Sequence, residues 1–367
     1  MSKIGILTYH SGFNYGACLQ AYALRTIIGR LGYDCEIINF ETERFVASRE
    51  MFSRKPTRFK EVVKVITRLP YWKSLHKRED LFNKYTFDVL HATERFKTEQ
   101  EVIDNIDKYS CIVCGSDQIW NLSQQDAPAA NLLFYLNFPK NQRRVSYAAS
   151  FGKWVKEAPQ CEDKFLPWLK QFDAISVREK SGVEYVKSLG LKCELTLDPT
   201  VLLDKADYDK ICTKRLLKEK YICMFGWNTN DDLVAAAKVV SRKLGLPVYN
   251  IVPPPRKMFC GIPRKLDVGP CEFLSMIKHA EFVVTNSFHG TAFATTFEKP
   301  YVSIVTGNAD TRMKSLLDQL GLSDHLVKKE EMNIDKLLKT DFSKVRAKKT
   351  DLRKASIEFL INSLKGL

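Results

Sequence analysis

The chain has 367 residues, more than one hydrophobic core usually organises, so two domains are the default expectation. Hydrophobic residues at 45% and charged residues at 27% exclude a disordered chain, and no apolar run has the length of a membrane span. The formal net charge of +14 points to an anionic partner and leaves three classes to separate: a membrane surface, a nucleic acid or a phosphorylated substrate.

From the N-terminus, Lys3–Tyr9 reads as a short apolar strand. Polar His10, Ser11 and Asn14 follow too soon for a signal peptide, so a cytoplasmic protein is expected. The glycine-bearing turn His10–Gly16 leads into a helix near Ala17–Leu31, with Leu19, Leu24, Ile27, Ile28 and Leu31 at helical spacing and Gly32 as its stop. Asp34–Phe40 is a second strand. Strand, loop, helix and strand make a βαβ unit, which implies a parallel sheet with right-handed crossovers.

Residues 49–100 are helical, basic and aromatic, and read as an insertion in the first domain. Between Arg49 and Arg78 ten basic residues stand against two acids, a net +8, and Phe52, Phe59, Leu69, Tyr71 and Trp72 interleave with the charges. The plain reading is a solvated helical face; the sharper one is a helix that docks on an anionic membrane.

Strands resume at Cys111–Cys114, Val145–Ala149 and Ala174–Val177, and a short one at Cys193–Leu197 leads into Asp198-Pro199-Thr200. Cys111 and Cys114 have the spacing of a redox or zinc pair, but they lie on a buried-looking strand without a second Cys/His pair. With no secretion signal, the ten cysteines read as reduced core thiols. The second half repeats the grammar. Strands are expected at Tyr221–Gly226, Pro247–Val252, Phe282–Thr285 and Tyr301–Val305, and helices at Asp231–Leu244, Glu272–His279, Thr291–Phe297 and Thr311–Leu320. The fold class is therefore α/β, with two doubly wound Rossmann-like domains facing a cleft: 1–205, carrying the insertion, and 206–350. A last helix near Leu352–Leu364, within 351–367, returns to the first domain. Ligands of such sheets bind beyond the carboxyl ends of the strands.

Four loops fall at such strand ends. Asn14-Tyr15-Gly16-Ala17 opens the first helix, where free N–H groups favour an anion, although a plain strand-to-helix turn has the same composition. Gly115-Ser116-Asp117-Gln118-Ile119-Trp120-Asn121 offers polar groups for sugar hydroxyls and an indole to stack on a ring; a turn with a packed Trp reads equally well. Arg178, in Ser176-Val177-Arg178-Glu179, is placed to hold a carboxylate or phosphate with two parallel bonds, or to make a structural ion pair. Thr285-Asn286-Ser287-Phe288-His289-Gly290-Thr291 sets a histidine at a helix start, as a proton donor or as a cap. His10 and His289 alone among the six histidines occupy loops of this kind.

These segments, together with Leu19-Gln20-Ala21-Tyr22-Ala23-Leu24, Ser146-Tyr147-Ala148-Ala149-Ser150-Phe151-Gly152 and Asp198-Pro199-Thr200, resemble the motifs of the polysaccharide pyruvyl transferases and run in that family's order. The resemblance implies a GT-B-like fold, phosphoenolpyruvate as donor, and as acceptor a sugar of a surface polysaccharide or its lipid-linked precursor. It gives the first domain the acceptor and the second the donor. The expected roles are His289 and Asp117 in catalysis; Arg178, Arg312, Ser287, Asn286 and Gly290 at the donor; and His10, Asn14, Tyr15, Gly16, Gln118, Trp120 and Asn121 at the acceptor. No cofactor or metal is expected beyond phosphoenolpyruvate as co-substrate. Some family members carry Arg-x-His at the last motif where this chain has Ser287-Phe288-His289. Two rivals remain: a nucleotide-sugar glycosyltransferase of the same architecture, and a non-catalytic basic protein binding a membrane or another anion. No nucleic-acid motif is present, so nucleic acid is not expected as a partner.

Overall fold

The computed structural model describes residues 3–49, 59–122, 132–139, 141–226, 230–253, 260–305 and 311–367. Two compact units divide the chain. The first gathers Met1–Arg49, Thr86–Leu203 and Lys349–Leu367, the second Glu50–Tyr85 and Asp204–Lys348.

The first unit is built on strands β1 (Lys3–Leu7), β2 (Asp34–Ile37), β3 (Cys111–Cys114), β4 (Arg143–Ala149), β5 (Ala174–Val177) and β6 (Glu194–Leu195). They form one sheet in the order β2-β1-β3-β4-β5-β6, with every pairing parallel. A parallel sheet is covered on both faces, which is why β3 reads as an unbroken apolar run and is wholly buried. Cys111 and Cys114 are three apart on that strand, so they point to opposite faces and cannot share a metal or a disulfide. Burial pushes the Cys111 thiol up to about 12, as befits an inert core thiol. The first helix, Tyr15–Arg30, begins earlier than its apolar spacing suggests because Asn14 caps it, accepting from the N–H groups of Gly16 and Ala17.

The second unit carries β7 (Ile222–Phe225), β8 (Val248–Asn250), β9 (Phe282–Thr285), β10 (Tyr301–Ile304) and β11 (Leu326–Val327) in the order β11-β10-β9-β7-β8, again all parallel. Its core includes Ile222, Val240, Phe282, Val284 and Ile304.

The basic segment departs from expectation. Residues 50–85 belong to the second unit, not to the first. The helix Trp72–Lys84 anchors them: buried Arg78 donates to the Ile251 carbonyl at 3.3 Å, and Lys77 pairs with Asp267 at 3.2 Å. The last helix, Phe342–Leu364, is longer than expected. From Lys349 onward it belongs to the first unit, where Lys349 donates to the Leu203 carbonyl at 3.1 Å and Ser356 accepts from the Leu197 N–H at 3.0 Å.

His325, beside β11, generates a pH prediction. Burial lowers its pKa from the usual 6.5 to about 4, only partly opposed by the Tyr301 carbonyl that receives its Nδ1–H at 3.0 Å. The folded ring is therefore neutral through the range in which an unfolded histidine takes up a proton. As pH falls from about 6.5 to about 4, the unfolded chain gains that proton and the folded chain does not, so stability drops. In His325→Gln, the fall in Tm over that range should be shallower than in the parent; parallel curves would contradict the assignment.

Candidate functional site

In the first unit, the strand-end motifs close on one buried ionic network. Arg178, just past β5, sends Nη1 to Asp198 Oδ2 at 2.5 Å, Nη2 to Asp117 Oδ1 at 3.3 Å and Nε to Glu179 Oε1 at 3.3 Å. All four side chains are almost inaccessible to water. Burial opposes the guanidinium charge, but attraction to Asp198, Glu179 and Asp117 outweighs it and holds the pKa of Arg178 above its ordinary value.

Neutral groups complete the network. Ser116 donates through Oγ to the Ala148 carbonyl at 2.8 Å and lies 3.0 Å from Asp198 Oδ2. A register shift in β4 accompanies Ala148, which has a left-handed φ of 49°, and the Ala148 N–H in turn donates to Ser176 Oγ at 3.0 Å. Gln20 reaches in from the first helix, accepting from the Ser116 N–H at 3.0 Å while donating to the Tyr9 carbonyl at 2.6 Å. Asp198 also accepts from the Thr200 N–H at 3.0 Å and its hydroxyl at 2.7 Å, and Ser150 donates to Glu179. Asp117 itself sits at a φ of 56°, sparsely populated by non-glycine residues, with Oδ1 accepting from the Gln118 N–H at 2.9 Å.

In the second unit, β9 runs into the helix Phe288–Thr296. Ser287 caps it, its hydroxyl 3.5 Å from the Gly290 N–H, so His289 lies in the first turn, buried, where the helix end is positive. The expectation of a helix from Thr291 missed this turn, because the cap residue and not the first apolar residue sets the start. Gly290 leaves no room for a Cβ against Thr285 and Phe225, which makes the turn specific for glycine. The Asn286 side chain likewise packs against Gly226, at the end of β7. Arg312, half-buried, opens the helix Thr311–Leu320.

One expected ligand contact is corrected by this geometry. Trp120 is no platform for a sugar. Its ring is fully buried, stacked on Tyr135 at 5.5 Å and tilted against Phe151 at 5.2 Å, and Nε1 donates to the Phe134 carbonyl at 3.0 Å. Arg178 is engaged by three carboxylates of its own unit, which is the structural ion pair that the sequence offered beside a donor contact.

The other first-unit candidates also hold local structure. His10 is buried with Nδ1 3.0 Å from the Thr8 carbonyl and Nε2 2.9 Å from Asn39 Oδ1. Asn14 is the helix cap, Tyr15 and Gly16 are buried in the turn it starts, and Asn121 donates to Gln118 Oε1 at 3.1 Å. Sequence reasoning overlooked Gln20, Ser116, Glu179 and Asp198 as one group. The available signal was a glutamine on the apolar helix face of Leu19-Gln20-Ala21, and an acid set before Pro-Thr at a strand end.

Removing the cation from this network isolates its role. Arg178→Met should cost about 3–5 kcal/mol by leaving buried carboxylates uncompensated, and Arg178→Lys should recover part of it. Denaturant unfolding of the two variants measures this; a wild-type midpoint for Arg178→Met would show that the network does not hold the unit together.

Comparison with known proteins follows the same lines. A family model described as polysaccharide pyruvyl transferase matches residues 14–308. No curated protein matches the chain. Among solved structures, the UDP-GlcNAc 2-epimerase of Methanocaldococcus jannaschii is similar at a TM-score of 0.54 and 11% identity, over 93% of this chain and 94% of that one. The UDP-GlcNAc 2-epimerase of Neisseria meningitidis, bound to UDP-GlcNAc, gives 0.52 and 8% over 99% and 100%, and the S. aureus MnaA-UDP structure 0.52 and 15% over 100% and 96%. At such identities the likeness speaks for the fold alone, two Rossmann-like units of the GT-B kind. The motif order and the matched residues, which take in most of the sequence, make the assignment: this chain belongs to the polysaccharide pyruvyl transferase family.

Proposed function

We propose that the protein transfers pyruvate from phosphoenolpyruvate to two hydroxyls of a hexose, closing a ketal on a surface polysaccharide or its lipid-linked precursor, in the cytoplasm at the inner face of the membrane. The observation that carries this reading is His289, buried in the first turn of a capped helix directly after a parallel strand. Family membership supports the reaction class.

The chemistry is a proton transfer followed by two captures. His289 gives a proton to the methylene carbon of phosphoenolpyruvate, which becomes a methyl group and leaves an oxocarbenium-like centre at the adjacent carbon. One sugar hydroxyl adds there and loses its proton; phosphate then leaves and the second hydroxyl closes the ring. Of the two hydroxyl protons, one restores the proton spent by His289 and the other leaves on the departing phosphate, so the balance is phosphoenolpyruvate plus diol to ketal plus phosphate. Asp117 orients an acceptor hydroxyl. With Arg178 committed to its own unit and serine at position 287 where some relatives carry arginine, the donor's carboxylate and phosphate fall to Arg312 and to the N–H groups that open the helix Phe288–Thr296.

Phosphate release from phosphoenolpyruvate in the presence of acceptor tests the reading, with nucleotide release from a nucleotide-sugar as the control arm. His289→Ala should lower turnover by about two orders of magnitude with the fold intact. Wild-type turnover in that variant would remove His289 from the chemistry, and nucleotide release without phosphate release would replace pyruvyl transfer with glycosyl transfer.

A further inference from the structure

The helix Phe59–Arg68 and the short turn Leu69–Tyr71 behave unlike the rest of the second unit. Among its described side chains, residues 61–68, none is buried. At 100° per residue, Val65, Val62, Ile66 and Val63 fall within an arc of about 160°, and Thr67, Lys64, Arg68 and Glu61 fill the remainder without a misplaced residue. An amphipathic helix normally turns its apolar arc to the core. Here part of that arc faces water: Val62 is 37% exposed and Ile66 60%, with Leu69 at 54% and Trp72 at 49% just beyond the helix, while Val63 and Val65 are half-buried. Seven large hydrophobic side chains are exposed among the described residues, and these four follow one another at helical spacing within one short stretch.

The charge around this stripe identifies its partner. Lys64, Arg68 and Lys73 flank it, and the sequence from Arg49 to Arg78 carries ten basic residues against two acids, of which Arg78 is buried and Lys77 is paired with Asp267. Phe52 and the basic residues Arg54, Lys55 and Arg58 lie outside the described residues. A protein surface of matching shape would need no such excess of one sign. A bilayer rich in anionic lipid needs both features: apolar side chains to enter the acyl boundary, and cations to meet the headgroups, with tryptophan at the junction.

The following helix, Trp72–Lys84, ties the patch firmly. Arg78 is buried against the Ile251 carbonyl and lies over the Phe82 ring at 5.4 Å, Lys77 bonds Asp267, and Leu81 fills the space a Cβ on Gly269 would need. The patch is thus an exposed face carried on an anchored element.

We infer that Val62, Ile66, Leu69 and Trp72, with their flanking lysines and arginines, form a docking face for an anionic membrane, on which the helix Phe59–Arg68 lies in the interfacial plane. This deepens the proposed function by placing the enzyme where a lipid-linked sugar is found, yet it stands on its own observation and is tested without turnover.

Flotation of the full chain with vesicles of phosphatidylcholine alone, and of phosphatidylcholine mixed with phosphatidylglycerol, at low and high salt, is the experiment. About 1 kcal/mol per basic residue near an anionic surface corresponds to roughly a fivefold gain in partitioning for each. The protein should therefore float with the anionic vesicles at low salt, lose most of that binding at high salt, and stay with neither set when the lipid is neutral. Ile66→Ser/Leu69→Ser should reduce flotation at least tenfold at unchanged Tm, since both side chains are exposed; Lys64→Glu/Arg68→Glu should reduce it and weaken its salt dependence. Equal or negligible flotation with both lipids overturns the inference, as does full binding by the serine variant. So does a dimer that the serine variant dissociates while the parent binds no vesicle, which would give the face to a second copy of the chain. Phosphate-release activity is a separate readout: its absence with intact flotation would sink the proposed reaction and leave the docking face standing.

Discussion

The first unit depends on a single buried guanidinium. Arg178 is held among Asp117, Glu179 and Asp198 out of reach of water, a placement that costs a large desolvation energy and persists only because three carboxylates and Ser116 complete it. The network draws on three strand ends. Ser116 and Asp117 follow β3, Arg178 and Glu179 follow β5, and Asp198 lies beyond β6, while Gln20 extends the network through Ser116 into the first helix. Segments far apart in sequence are therefore locked to one another at the carboxyl ends of the strands, where sheets of this kind present ligands.

Much of the fold could be read from local pattern, and the failures have physical causes. β3, β5 and β9 are where their apolar runs place them, because a strand buried on both faces has no other composition available. β11 left no trace, since two residues are too short for any periodicity. The affiliation of residues 50–85 with the second unit rests on contacts such as Arg78 with Ile251, 173 positions apart, which no window of sequence contains. At the candidate site, a tryptophan after a polar loop has one composition whether it stacks on a sugar or on Tyr135, so only the structure could separate the two. Arg178 posed the same ambiguity between a ligand fork and an ion pair, and the three acids around it come from positions that no local pattern brings together. The position of His289 in a strand-to-helix turn was legible, because serine, histidine and glycine at a strand end are themselves the turn.

This division of labour changes how the motifs of the first unit are understood. Their polar residues look like ligands when read along the chain, yet in space most of their hydrogen bonds are made to each other. Such a network fixes the backbone around Asp117, which rests in a left-handed conformation that the surrounding structure must over-determine. The second unit, by contrast, offers at its candidate loops Arg312 and the positive end of the helix Phe288–Thr296. Its largest concentration of charge lies instead on the segment with the exposed apolar stripe, a feature suited to a surface and not to a small anion.

The central claim is that Arg178 organises the first unit and does not hold the donor. Calorimetric titration of phosphoenolpyruvate into the parent, Arg178→Lys and Arg312→Ala, each checked for folding by its thermal midpoint, tests it most directly. Loss of a charge-assisted contact is worth about 1.5–3 kcal/mol, so Arg312→Ala should weaken binding roughly tenfold to a hundredfold, while folded Arg178→Lys should bind within about twofold of the parent. Loss of phosphoenolpyruvate binding in a well-folded Arg178→Lys, with Arg312→Ala unaffected, would contradict the account.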